Sequence, residues 1–171
     1  SYPTSYIPNH SGGSVTRGDD LGTNTDITDE LPSSGYTIFF ELKSPKVLSG
    51  IQGPLNFLGV VSDRITPYFF NGNLVSDFIA SGTTNGGLIL QSSVSVDTTY
   101  KVGISVDTNN IRKSVNGAAA SLLTADLVIP VLINMKLGNG TSSNALGSTI
   151  QSVILFPEVL SDADLATLTT L

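Results

Sequence analysis

The sequence contains no cysteine and no tryptophan, one histidine, one methionine and only three glutamates in 171 residues. Without cysteine there is no disulfide framework, no thiolate metal site and no cysteine nucleophile. A nucleophilic triad needs a base beside the nucleophile, normally histidine. The single candidate, His10, has no partner signature around it and reads as an exposed loop histidine. Eight Lys and Arg stand against 14 Asp and Glu, a formal net charge of −6 and a pI near 4.4. Phosphate binding needs clustered basic residues, and these eight are scattered, so nucleic acid is excluded as a partner. No apolar run approaches the ~18 residues of a membrane span, so no membrane insertion is expected. Three glutamates are too few for a long helical bundle. No signal peptide is visible, and the chain opens at Ser1 without Met; a fragment or processed piece of something longer is expected.

What is abundant is small and neutral. Gly, Ser, Thr and Asn number 17, 22, 18 and 12. The hydrophobic fraction is 40% and the mean hydropathy +0.21, which excludes a disordered chain. Many hydroxyls and turn formers with few charges fit an all-β domain of short strands.

One domain is expected over residues 1–171. Residues 1–35, rich in Pro, Gly, Ser and Asp, read as an irregular N-terminal strap. Strand signals then recur over 36–160: Tyr36–Leu42, Val47–Ile51, Phe57–Val61, Ile65–Phe70, Leu74–Ile79, Leu88–Leu90, Tyr100–Val106, Ile111–Val115, Val131–Leu137 and Ile150–Phe156. Tyr100, Val102, Ile104 and Val106 alternate with Lys101, Gly103 and Ser105, and so define one buried face. On Val131–Leu137 the inward set would be Val131, Ile133, Met135 and Leu137. Ile150–Phe156 is a continuous apolar run, expected of a strand covered on both faces. Asp107–Asn110 reads as a hairpin turn, and Asn116-Gly117 as a type I′ turn. In residues 161–171, Ser161 and Asp164 have capping-box spacing, predicting a short helix from about 162 to 169 against the sandwich edge. The fold class is therefore an antiparallel two-sheet β-sandwich or barrel with one C-terminal helix.

Several stretches resemble a known group. Ser5-Tyr-Ile-Pro8, a Gly/Ser spacer and Ser14-Val-Thr-Arg17 look like the opening of concanavalin A-like (laminin G-like) jelly-roll domains of bacteriophage tail proteins. Tyr100-Lys-Val-Gly-Ile-Ser-Val-Asp107 followed by Ile111–Asn116-Gly117 is similar to that family's central hairpin. Lys136-Leu-Gly138, Gln151–Pro157 and Leu160-Ser-Asp-Ala-Asp-Leu165 resemble its later strands and its helix start. The matches run in the family's order over most of the chain, while 43–98 carries no matching motif. The resemblance implies a concanavalin A-like jelly roll on a virion, in a tail fibre or tailspike, that binds host-surface glycan. It also implies other virion subunits as partners and a homotrimer.

The residues add candidates of their own. Aromatic faces stack on the apolar faces of sugar rings while neighbouring amides and charges supply hydrogen bonds. Alternation places Phe39, Tyr68 and Phe70 on outward faces, near Glu41 and Arg64. The candidate carbohydrate site is therefore Tyr68, Asn71, Asn73, Arg64 and Phe39. The competing reading has this face covered by the N-terminal segment or a neighbouring subunit. No cofactor is required. If a cation is held it would be Ca²⁺, with Asp63, Asp107 and Asn110 as ligands and Asp19, Asp20 and Asp77 as further loop acids; solvated turn acids are the alternative. A glycosidase needs a carboxylate pair. No strand carries alternating acids, Glu41 stands alone, and Asp162 and Asp164 suit helix capping, so no enzyme is expected. Arg17-Gly18-Asp19 is assigned to local packing or an exposed turn. The sequons at Asn9 and Asn139 carry no weight outside a eukaryotic secretory chain.

Overall fold

Alternation in the strand from Tyr36 to Lys43 sets the architecture. A computed structural model describes residues 22–24, 26–48, 50–60, 62–125, 128–138 and 148–170. The strands are β1 (Gly22–Asn24), β2 (Tyr36–Lys43), β3 (Ile51–Gln52), β4 (Leu55–Gly59), β5 (Arg64–Phe70), β6 (Asn73–Ala80), β7 (Thr83–Gln91), β8 (Thr99–Val106), β9 (Asn110–Val115), β10 (Ser121–Ala125), β11 (Leu132–Leu137) and β12 (Thr149–Phe156), followed by helix α1 (Asp162–Leu168). They form two antiparallel sheets. A seven-stranded sheet runs β1-β11-β4-β5-β6-β7, with β3 also paired to β5; a five-stranded sheet runs β10-β9-β8-β2-β12.

The core lies between the sheets. Tyr36, Ile38, Phe40 and Leu42 enter it from β2, with Tyr100, Val102, Ile104 and Val106 beside them on β8. From the other sheet come Leu55, Phe57, Ile65, Phe69, Leu74 and Phe78. Two polar links cross between the sheets. The Tyr36 hydroxyl donates to Pro130 O at 3.0 Å. The Lys113 ammonium donates to the carbonyls of Ile89 and Leu90, and its partial burial pulls its pKa below the ordinary lysine value.

Two-residue hairpins join β5, β6 and β7. Asn71-Gly72 and Ser81-Gly82 both take positive φ throughout, as a type I′ turn requires. Pro67 is tolerated inside β5 because that strand changes neighbours around it. β4 pairs with Arg64 and Ile65, and β3 with Phe69 and Phe70. The missing Pro67 N–H therefore falls between two ladders.

The structure departs from the sequence reading in several places. Within the N-terminal strap, Gly22–Asn24 pairs with β11, and Ile27 and Leu31 are core residues. Of the strand expected at Val47–Ile51, only Ile51 pairs among the described residues, together with Gln52. β10 was unmarked because its side chains are largely exposed and show no alternation. On β11, Leu132 is the fully buried residue, while Val131 is exposed: a register shift between Leu132 and Asn134 breaks the phase. β12 is an edge strand rather than one covered on both faces, and Ile154 is 44% exposed.

Helix α1 begins at Ser161, whose hydroxyl accepts from Asp164 N at 3.2 Å and lies 2.6 Å from the Asp164 carboxylate. The helix packs on β8 and β9, on the outer face of the five-stranded sheet and not at its edge. Gly103 makes this approach available: a Cβ there would sit 2.7 Å from Leu165 Cδ1.

Candidate functional site

The β5–β6 register assembles the site. With Asn71-Gly72 as a two-residue loop, Phe70 faces Asn73, Tyr68 faces Val75, Thr66 faces Asp77 and Arg64 faces Ile79. Strand alternation sends these pairs to the outer face of the seven-stranded sheet, since Ile65, Phe69, Leu74 and Phe78 fill the core.

Asp77 is the centre of the polar group. Its Oδ1 accepts from the Tyr68 hydroxyl at 3.1 Å and from Gly87 N at 2.8 Å. Its Oδ2 lies 4.0 Å from Arg64 Nη2. A register shift between Ser76 and Phe78 sets Gly86 and Gly87 of β7 opposite Asp77. Gly87 takes a φ of +66°, and a Cβ on Gly86 would lie 3.3 Å from Asp77 Oδ1, so the two glycines let the β7 backbone reach the carboxylate. Burial, the Asp77 charge and the hydrogen bond to Asp77, opposed by Arg64, push the Tyr68 phenol up to about 12.

The same face continues onto β4 and β11. Thr66 donates to Asn56 Oδ1 at 2.6 Å, and both residues are buried. Leu58 faces Arg64 on one side and Asn134 on the other. Among the described residues, Arg64 Nε and Asn134 Oδ1 are buried polar atoms without a hydrogen-bond partner. Beside this polar row Tyr68, Val75 and Ile89 face one another across β5, β6 and β7; Val75 is buried, and Ile89 is 48% exposed.

Of the residues expected to bind sugar, the structure brings Tyr68 and Arg64 together. Asn71 is the first residue of the β5–β6 turn, and Asn73 spends its side chain on Asn71 O and Ser93 N. Phe39 does not share a face with Tyr68. It lies on the five-stranded sheet opposite Gly103, on which Leu165 rests, and is only 6% exposed. Covering of this aromatic was anticipated from the N-terminal segment or another subunit; here the chain's own helix lies over that part of the sheet. Glu41 shares that face and is likewise remote from Arg64 in the topology. Asp77, weighed from sequence only as a loop acid, is the residue whose role was missed. The Asn71-Gly72 turn signal fixes its pairing with Thr66 and could have revealed it.

The proposed cation ligands have other partners. Asp63 is buried, and its two oxygens accept from Ser81 N at 2.7 Å and Val131 N at 2.9 Å. Asp107 Oδ1 accepts from Asn109 N and Asn110 N, which closes the β8–β9 hairpin. Among the described residues there is no group of three or more His, Cys, Asp or Glu that could hold a metal ion. His10, Asp19, Asp20, the Arg17-Gly18-Asp19 tripeptide and Asn139 lie outside the described residues.

No family model matches the sequence, and no curated protein matches it. Solved structures do. The IT-sialidase CBM40 of Ruminococcus gnavus, in a structure bound to α2,3-sialyllactose, is similar with a TM-score of 0.61 at 19% identity, over 80% of this chain and 83% of that one. A leech intramolecular trans-sialidase is similar with a TM-score of 0.63 at 18% identity, over 81% of this chain but 23% of that one. Sheep galectin-11 is similar with a TM-score of 0.50 at 10% identity, over 82% and 98%. Among the described residues two antiparallel sheets enclose one core and a short C-terminal helix follows, and the chain has a jelly-roll β-sandwich fold.

Proposed function

We propose that the chain is a non-enzymatic carbohydrate-binding domain that recognises a host cell-surface glycan through the outer face of its seven-stranded sheet. The observation that carries this reading is the pairing of the partly exposed Tyr68 and the exposed Ile89 with the partly exposed polar side chains of Arg64 and Asp77 on one sheet face. A pyranose presents the same two characters, an apolar ring face and an equatorial belt of hydroxyls. The fold shared with a CBM40 bound to sialyllactose and with a galectin supports it.

A hydrolase is the weaker reading. Among the described residues Asp77 is the only acid in the strands of this sheet, whereas glycoside cleavage uses two carboxylates. The biological setting we propose is a bacteriophage tail fibre or related virion protein, displayed outside the cell and assembled with other virion subunits, as a homotrimer. Its support is the ordered set of motifs from Ser5 to Leu165. Repetition would raise a weak single-site affinity: a millimolar site yields about −4 kcal/mol, and copies displayed together multiply avidity.

A glycan array and a bacterial adsorption assay test the reading. Tyr68→Ala is expected to abolish binding with the fold retained; unchanged binding would overturn the site. Exposed Phe70 and Ile89 on the same face favour a second reading, a structural virion domain whose sheet packs on a partner subunit. That reading wins if no glycan binds and the same face buries itself in an oligomer in solution.

A further inference from the structure

The outer face of the other sheet carries a separate cavity. The cross-strand pair Phe39–Gly103 lies where helix α1 covers the sheet. Two positions along both strands, where the cover ends, Glu41 faces Lys101. The helix stops at Thr169, and Thr170 settles on the β9–β10 turn, where a Cβ on Gly117 would overlap Thr170 Cγ2. The result is a shallow, largely open pocket of about 410 Å³ lined by Glu41, Thr99, Lys101, Asn116, Thr169 and Thr170. That volume lies within the ~300–1,000 Å³ of small-molecule sites.

We infer that this cavity is a second ligand site, one that takes a neutral saccharide residue. The inference stands apart from the Tyr68 reading, because the two sites lie on opposite sheets. One acid and one base line the wall, so it offers no net charge to an ionic ligand. The remaining polar groups divide into donors and acceptors. Asn116 uses its carbonyl oxygen on Lys101 N at 2.8 Å, which leaves its NH₂ to donate. Thr99 donates to Gln151 and Thr170 donates to Thr167 O, so each hydroxyl oxygen keeps a lone pair to accept. Glu41 adds a carboxylate acceptor, approached by Ser152 Oγ at 3.5 Å. Thr169 is structural: it accepts from Gly117 N and donates to Ala166 O. Sugar hydroxyls donate and accept at once, and match such a mixed wall. Among the described residues no aromatic ring lines the pocket, so hydrogen bonds hold the ligand and a millimolar affinity is expected. A domain with a saccharide site on each sheet can bridge two glycan strands.

The test is an amide NMR titration of the full chain with methyl α-glucopyranoside, methyl β-galactopyranoside and methyl N-acetyl-β-glucosaminide, each to about 50 mM. At least one is expected to give saturable shifts at Lys101, Asn116 and Thr170. Glu41→Gln should weaken that response about tenfold, and Thr170→Val, which keeps the methyl packed on Gly117, about threefold. Tyr68→Ala should leave it unchanged, so the two sites stand or fall separately. An unchanged spectrum elsewhere reports that each variant folds. No saturable shift at these amides with any of the three sugars would overturn the inference. Equal responses in wild type and both cavity variants would do so too, as would tighter binding of inorganic phosphate than of the sugars.

Discussion

Tyr68 reaches across the β5–β6 ladder to donate a hydrogen bond from its hydroxyl to Asp77, two positions away from its direct partner Val75. The folded pKa of about 12 exceeds the ordinary 10.0, so folding favours the protonated phenol. The associated stability is complete below pH 10 and is lost as pH rises toward 12. Absorbance titration should show one phenol with a midpoint near 12. Asp77→Asn removes the negative charge and should move that midpoint toward 10. A phenol titration identical in the two proteins would refute the arrangement.

Gly103 decides where the helix rests. Gly103→Ala places a Cβ 2.7 Å from Leu165 Cδ1 in the present packing. Overpacking of this kind costs about 1–3 kcal/mol. Urea denaturation should show this loss, and Leu165→Ala should relieve part of it, so the double variant will be less destabilised than the sum of the singles.

Asp63 staples two loops to the rim of the seven-stranded sheet. Asp63→Ala strips partners from Ser81 N and Val131 N, and should cost about 2–4 kcal/mol as two charge-assisted bonds are lost. Because both oxygens already accept from the backbone, calcium or EDTA should leave the melting temperature of the wild-type protein unchanged. A rise with calcium that Asp63→Ala abolishes would instead make Asp63 a cation ligand.

Tyr36→Phe removes the hydroxyl that donates to Pro130 O in the interior. The ring still fills its place, so the loss is that of one buried bond and an orphaned carbonyl, about 1–3 kcal/mol. Chemical denaturation should detect it with no change in slope, since the surface exposed on unfolding is the same.

Much of the sandwich was legible because its strands alternate. Tyr36–Leu42 and Tyr100–Val106 show their buried faces by composition alone, and Ser161 marks the helix start. What escaped notice depends on neighbours distant in sequence. β10 pairs with β9 despite carrying exposed side chains, and β1 is held by β11. β11 slips phase at a bulge that no local pattern announces. Phe39 is buried beside Gly103, the residue on which Leu165, 126 positions after Phe39, comes to rest. At the candidate site, Tyr68 and Arg64 were visible as outward residues on one strand. Asp77 was not, because its role arises from pairing and from a glycine bulge on a third strand.

β2 lies between two late partners, β8 and β12. The five-stranded sheet therefore cannot close until the chain has been made through Phe156, whereas the β5-β6-β7 meander can form as it emerges. Long-range pairing of this kind is slow and leaves strand edges open meanwhile. During synthesis the exposed species is thus a half-built sandwich with β2 unpaired along one side. Only when the last strand arrives is β2 paired along both sides.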